Sequence, residues 1–177
     1  MIGGRSLRFR RLREADIDAV MAIDDVAYPH SWSRRLYLDD VDDADRGVHL
    51  VALRGRKVVG HGGVLFLDTD AHVSTIAVDP RHTGEGIGTE LLVRLVAEAI
   101  AAGSEAMTLE VRVGNERAQE LYRRAGFAPV GVRPGYYKDP DGPVDALIMW
   151  LHDLDESTLD RVGQMLAAPV ASGGFPS

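Results

Sequence analysis

The chain contains no cysteine. Disulfides, cysteine–zinc sites and a cysteine nucleophile are excluded together. A thiol-free chain fits a cytoplasmic enzyme. No stretch approaches the roughly 18 consecutive apolar residues that a membrane span requires, so no membrane partner is expected. Met1 to Arg13 is rich in arginine but has no apolar run of the secretory type. The histidines show no metal-ligand spacing, and no metal is expected. Positive charge is also in deficit. The chain has 20 Lys and Arg against 27 Asp and Glu, a formal charge of −7. That balance argues against nucleic-acid binding. It suits a basic peptide partner, and equally the ordinary solubility of an acidic surface.

What is present is enough for one domain. The 177 residues are 45% hydrophobic, which supports a sizeable core. Leu7 and Phe9 alternate with Arg8 and Arg10, as in a half-buried strand. Ile17, Val20, Met21 and Ile23 have helical spacing within Ala15 to Ala27. Tyr28-Pro29-His30-Ser31-Trp32 interrupts that helix. Ser33 can cap a second one, with Leu36, Leu38 and Val41 as its apolar positions. His49 to Leu53 and Lys57 to Leu67 read as strands about the Arg54-Gly55-Arg56 turn. Gly60, Gly62 and Gly63 point to a bulge or a close neighbour in the second of them.

His72 to Val78 is a further strand, stopped by Asp79-Pro80. Alternation places His72, Ser74, Ile76 and Val78 on one of its faces. Thr89 to Ala102 is the strongest helix, with Leu91, Leu92, Leu95, Val96, Ala99 and Ile100 on one side and Gly103 at its end. Met107 to Val113 is a strand, and Asn115 caps a helix that Gly126 ends. Phe127 to Val132 and Val144 to Leu151 form a strand pair, joined by a loop from Arg133 to Pro143. Leu154 to Ala168 is an amphipathic extension through Leu154, Leu159, Val162 and Leu166, and Pro169 to Ser177 has a disordered composition. The order β-α-α-β-β-β-α-β-α-β-β predicts an α/β fold with a sheet of mixed direction. The domain spans 1–153 and the extension 154–177.

The segment Ile76-Ala77-Val78-Asp79-Pro80-Arg81-His82-Thr83-Gly84-Glu85-Gly86-Ile87-Gly88-Thr89 carries the sharpest chemical signal. Three alternate glycines let the backbone approach a ligand, and they open directly into a helix. Free N–H groups and the helix dipole then converge where a pyrophosphate fits. A purely structural turn uses the same residues. A Walker loop is excluded because Gly88 is followed by Thr89-Glu90. The spacing and position also differ from a Rossmann fingerprint, which disfavours a dinucleotide oxidoreductase.

Thr83-Gly84-Glu85-Gly86-Ile87-Gly88 resembles the acetyl-CoA loop of the GNAT acetyltransferase superfamily, whose pattern is Gln/Arg-x-x-Gly-x-Gly/Ala. The element order matches that fold over roughly residues 5 to 151. Met107 to Asn115, followed by Ala118-Gln-Glu-Leu-Tyr122-Arg-Arg-Ala-Gly-Phe127, is similar to the RimI type, which acetylates the N-terminal amine of a ribosomal protein. Trp32-Ser33, Tyr136-Tyr137 and Asp145-Ala146 agree in order. The resemblance implies a mostly antiparallel sheet, splayed to hold acetyl-CoA.

Two departures stand out. Thr83 replaces the first basic or amide residue, and Glu85 occupies a commonly basic position. One lost charged hydrogen bond costs about 1.5–3 kcal/mol, or roughly ten- to hundredfold in affinity. The glycine cradle survives that loss, and Arg81 or His82 can compensate.

The resemblance also implies the chemistry. Glu110 is the general base, although in an alternating strand it reads equally as solvent-facing. Tyr122 protonates the leaving thiolate, although by pattern alone it is a core residue. Asn115 caps its helix and bonds the cofactor. Ile76, Ala77 and Val78 offer backbone to the pantetheine arm, and Thr83 to Thr89 cradle the phosphates. His72 is an auxiliary base or an ordinary strand-end histidine. Tyr28, Trp32, Tyr136 and Tyr137 wall a peptide groove or simply anchor their loops. The expected reaction is direct acetyl transfer to a protein N-terminus by a monomer or weak homodimer. A lysine or small-amine acetyltransferase and an idle acyl-CoA-binding module are the alternatives.

Overall fold

Strands β4 (Asp70–Val78) and β5 (Ala106–Arg112) run parallel but pair only from Asp70–Ala106 to His72–Thr108, and beyond that point they part. This split in the sheet creates the site. The computed structural model describes residues 6–29 and 32–168. Its seven-stranded sheet has the order β1-β2-β3-β4-β5-β7-β6, with β1 (Leu7–Arg11), β2 (Gly47–Arg54), β3 (Lys57–Leu67), β6 (Ala128–Asp139) and β7 (Gly142–Leu151). All pairings except β4–β5 are antiparallel. The mixed, mostly antiparallel sheet and its splay match the sequence expectation.

Helices cover both faces. On one side, α3 (Ile87–Ala101) buries Leu91, Leu92, Leu95, Val96 and Ala99 completely. Each such aliphatic side chain contributes roughly 1.5–3 kcal/mol. Gly60 and Gly62 of β3 admit this helix closely. A Cβ at Gly60 would lie 3.0 Å from Ile87 Cγ2, and one at Gly62 would lie 3.2 Å from Leu95 Cδ1. The C-terminal α5 (Glu156–Ala167) is seated in the same core through Val162 and Met165. Asp155 caps it by accepting from the Thr158 amide.

On the other side, α1 (Ile17–Ala27) and α2 (Arg34–Asp42) build a second core with Val51, Leu53, Val58 and Ala77. Here the apolar positions assigned to α2 need correction. Leu36 is exposed, Leu38 and Val41 are only partly packed, and Tyr37 is the fully buried residue. Aliphatic spacing missed it because a polar partner holds Tyr37 in place.

Two further expectations fail locally. Arg133 to Pro143 is not a loop, because β6 continues through bulges to Asp139 and turns only at 140–141. Glycine and proline there serve bulges and an edge rather than a connection. The shared face of His72, Ser74, Ile76 and Val78 is also broken. Gly63 pairs with Thr75 and Val64 with Val73, so Ser74 is left unpaired and the alternation slips by one. Val73, Ile76 and Val78 therefore all meet the α3 core. Expectations on His30, Ser31 and Pro169 to Ser177, and on the Leu166 side chain, lie outside the described residues.

Candidate active site

The gap between β4 and β5 holds two cavities that meet at Tyr28, Ile76, Asn115, Ala118 and Tyr122. One, of about 460 Å³, runs along Ala77, Val78 and the glycine turn to α4 (Glu116–Arg124). The other, of about 570 Å³, opens between His72, Glu110, Trp32, Tyr136 and Tyr137.

The first cavity is lined mainly by backbone on its turn side. Gly84 and Gly86 have φ of +84° and +78°, a left-handed conformation that glycine alone adopts without strain. Gly86 is the N-cap of α3 and offers no side chain, so the amides of Ile87, Gly88 and Thr89 face an uncapped helix end. Asp79 stabilises the approach. It accepts from the Arg81 amide and pairs with the Arg81 guanidinium at 2.7 Å. These contacts hold its carboxyl at about 2.

The structure shows what the two departures do. The Glu85 carboxylate is bonded to Arg54 and lies 3.1 Å from His82 Nδ1, and Glu85 does not line the cleft. Its side chain is thus turned toward Arg54 and His82 rather than into the cleft. Arg81 is committed to Asp79 and also does not line the cleft, whereas His82 does. The Thr83 hydroxyl donates to Pro80 O at 2.6 Å. Cations enter from the opposite wall instead. Arg117 and Arg124 of α4 line this cavity, and Arg117 reaches toward Gly84. Sequence reasoning missed both. Their spacing of seven on one helix, opposite a turn short of basic residues, was the available signal.

The second cavity centres on Glu110. It follows the last paired residue of β5 by two positions, so strand alternation aims it into the gap rather than at solvent. Its side chain is 10% exposed. His72 Nε2 lies 3.0 Å from Glu110 Oε2, and Arg133 Nη2 lies 3.7 Å from Oε1. His72 Nδ1 lies 2.8 Å from Thr108 Oγ1. His72 is therefore not a free strand-end residue. It bridges two β5 side chains where the strands part. With Nε2–H donating to Glu110, a neutral ring accepts the Thr108 hydroxyl at Nδ1.

Tyr122 sits on α4 at the junction of the two cavities. Burial, with Tyr28 and Tyr137 nearby, pushes its phenol up, so it is a neutral donor at working pH. Asn115 accepts from the Ala118 amide at 3.1 Å as the N-cap of α4 while lining both cavities. Tyr28 donates to Ile76 O at 2.9 Å and so ties the end of α1 to β4. Tyr136 and Tyr137 lie on β6, not on a loop, and pack edge to face at 5.0 Å. The Tyr137 hydroxyl donates to Glu110 O at 3.3 Å, and the Arg112 guanidinium stacks 4.2 Å above its ring. Among the described residues no cluster of His, Asp and Glu forms a metal site, and no helix is long and apolar enough to cross a membrane.

Residues 17–127 match the model of the acetyltransferase (GNAT) family. The chain belongs to the GNAT family. It is 30% identical over 140 residues to the [ribosomal protein bS18]-alanine N-acetyltransferase of Escherichia coli, spanning 79% of this chain and 93% of that one. The crystal structure of the E. coli ribosomal-protein-alanine N-acetyltransferase superposes with a TM-score of 0.76 at 28% identity, over 85% and 96% of the two chains. A Salmonella typhimurium acetyltransferase solved with acetyl-CoA shares the fold, with a TM-score of 0.72 at 23% identity over 85% and 95%. The GNAT chain described here is thus an N-acetyltransferase enzyme.

Proposed function

We propose that this enzyme transfers an acetyl group from acetyl-CoA to the N-terminal α-amine of a protein, with Glu110 as base and Tyr122 as acid. The observation that carries this reading is the meeting of two cavities at Tyr122, with a glycine-lined cleft on one side and the Glu110–His72 pair on the other. The similarity to an enzyme named for ribosomal-protein alanine acetylation supports a protein acceptor, a ribosomal protein being the nearest analogy.

The residues fit acetyl-CoA. The amides at the start of α3 suit a pyrophosphate, Arg117 and Arg124 add positive charge, and the β4 backbone from Ile76 to Val78 borders the cleft beyond its pairing with β5. Acetyl-CoA supplies a thioester whose carbonyl carbon is the electrophile. Glu110 takes the proton as the amine forms its bond to that carbon, directly or through one water. His72, its Nδ1 accepting from Thr108, orients Glu110 by donating Nε2–H to it. Tyr122 gives its proton to the sulfur as the carbon–sulfur bond breaks. An α-amine, with a pKa near ~8, is easier to deprotonate than a lysine near ~10.4. The aromatic walls from Tyr28, Trp32, Tyr136 and Tyr137 receive the first residues of the chain. The domain proper extends to 153, and α5 serves as a bracing extension. A cytoplasmic acceptor fits the thiol-free chain, and the enzyme acts on it as a monomer or weak homodimer.

The test is acetyl-CoA turnover with short peptides carrying free or blocked α-amines. Turnover confined to free α-amines is expected. Equal turnover on blocked, lysine-containing peptides contradicts the reading.

A further inference from the structure

The second core contains a line of polar side chains that acetyl transfer does not use. His49 on β2 and His61 on β3 are both buried on the face covered by α1 and α2. Their rings stack at 5.3 Å, with His49 Nε2 3.0 Å from His61 Nδ1. His49 Nδ1 lies 3.1 Å from Asp40 Oδ2, and His61 Nε2 lies 2.8 Å from Asp24 Oδ1. The Tyr37 hydroxyl donates to the other Asp24 oxygen. Tyr37 and Asp40 are three residues apart on α2, so the line begins and ends on one face of that helix. It passes from α2 through β2, β3 and α1 and back to α2. The cross-strand neighbour of His61 on β4 is Ala77, so that strand adds no charge at this position. Tyr28 closes α1 nearby, and burial keeps its phenol protonated. Burial, with Asp24, does the same for Tyr37.

The hydrogens can be counted. Three contacts join Asp40, His49, His61 and Asp24, and each requires one hydrogen. Two neutral rings with two carboxylates supply only two, which leaves a pair of acceptors face to face. One added proton, on a ring or a carboxyl, completes the line at a net charge of −1. A second would crowd two hydrogens into one contact. The added proton belongs to the coupled set, not to one residue. Burial pushes the His49 ring down, opposed by Asp40 and reinforced by His61, which disfavours placing the added proton on that ring rather than elsewhere in the line.

The other contacts of α2 are peripheral: Leu38 and Val41 pack only partly against the second core, and Arg34 pairs with the exposed Asp18 of α1. Tyr37 is its one buried side chain among the described residues, and the Trp32 ring rests 5.6 Å from the Tyr37 ring. Trp32 and Tyr28 line the cavity that holds Glu110. We propose that Asp24, Asp40, His49 and His61 are positioning residues for the acceptor wall, and that a single shared proton completes the contacts that seat α2 and, through Tyr37, Trp32. This rests on the acetyl-transfer reading for the identity of the cavity's occupant, whereas the proton count does not. Loss of that proton as pH rises raises KM for the acceptor. It leaves KM for acetyl-CoA and kcat at saturating acceptor unchanged.

Asp24→Asn provides a sharp test. The amide can donate to His61 Nε2 and accept from Tyr37, so two neutral rings suffice and no added proton is needed. Asp40→Asn achieves the same from the other end and covers a failure of the first variant to fold. Wild type and variant are compared at equal pH from about 6 to about 9, around and above the ordinary histidine range. Two ratios are read: acceptor kcat/KM, and hydrogen exchange of the α2 amides. Equal-pH comparison cancels titration of the amine and Glu110 as well as intrinsic exchange. Both ratios should be near one at low pH. At high pH wild type should be roughly tenfold weaker toward acceptor and faster in exchange, as one lost buried hydrogen bond implies. Flat ratios in both readouts overturn the proposal. A step in exchange with a flat acceptor ratio overturns the link to the wall. If wild type turns over no peptide, the acetyl-transfer reading fails, and the exchange ratio alone decides the proton line.

Discussion

His72 Nε2 lies 3.0 Å from Glu110 Oε2, beside the point where β4 and β5 stop pairing. The contact bridges the two strands that open to form the site. It also gives the proposed base a fixed orientation and a hydrogen-bond donor on one carboxylate oxygen. Glu110→Gln should lower kcat by about 10²–10⁴, the usual span for losing a general base. His72→Ala and Thr108→Val should each lower kcat less, by about tenfold, and move the pH–rate profile. Steady-state kinetics across pH checks this. Unchanged profiles in both would separate His72 from the reaction.

Tyr122→Phe removes only the hydroxyl from a buried ring that packs on Phe127 at 5.8 Å. Packing is retained, so Tm should shift little. The kcat should fall by about 10²-fold or more, with KM for acetyl-CoA nearly unchanged. An acetyl thioester whose leaving thiol has a lower pKa than CoA should recover part of the loss. Equal losses for both leaving groups would place Tyr122 outside proton transfer.

The Arg54–Glu85 pair turns an unfavourable charge away from the cleft. Arg54→Ala should release Glu85 and weaken acetyl-CoA binding by about three- to tenfold. Glu85→Gln alone should bind as wild type, and the double variant should recover. Arg117→Ala should weaken binding further and flatten its salt dependence. Calorimetric titrations at two ionic strengths read all four.

Asp79 predicts a pH-dependent contribution to stability. Arg81 holds its carboxyl at about 2 in the folded chain, against an ordinary value near ~3.9 unfolded. Its stabilising contribution is complete above the unfolded value and disappears as pH falls toward the folded one. The difference in urea midpoint between wild type and Asp79→Asn should therefore be constant above about pH 5 and shrink below about pH 4. A difference that grows on acidification contradicts the sign.

The order of elements was legible because each carries a local pattern. Leu91, Leu92, Leu95 and Val96 mark α3 by spacing, and Asn115 marks the start of α4 by its cap. The glycine turn was legible because Gly84 and Gly86 need positive φ. What stayed hidden depends on partners far along the chain. Glu85 looked hostile to phosphate until Arg54, 31 residues away, appeared beside it. His72 and Thr108 meet only because β4 and β5 pair there. Tyr37 is held by Asp24 rather than by aliphatic spacing, and Ser74 shifts the alternation through a bulge that a single strand does not announce.

The most direct measurement is mass-spectrometric mapping of the acetyl group on a peptide that carries both a free α-amine and an internal lysine, with wild type and Glu110→Gln. Label on the α-nitrogen from wild type, formed at least about a hundredfold more slowly by the variant, is the predicted result. Label on the lysine Nζ, or equal rates for the two proteins, would contradict it.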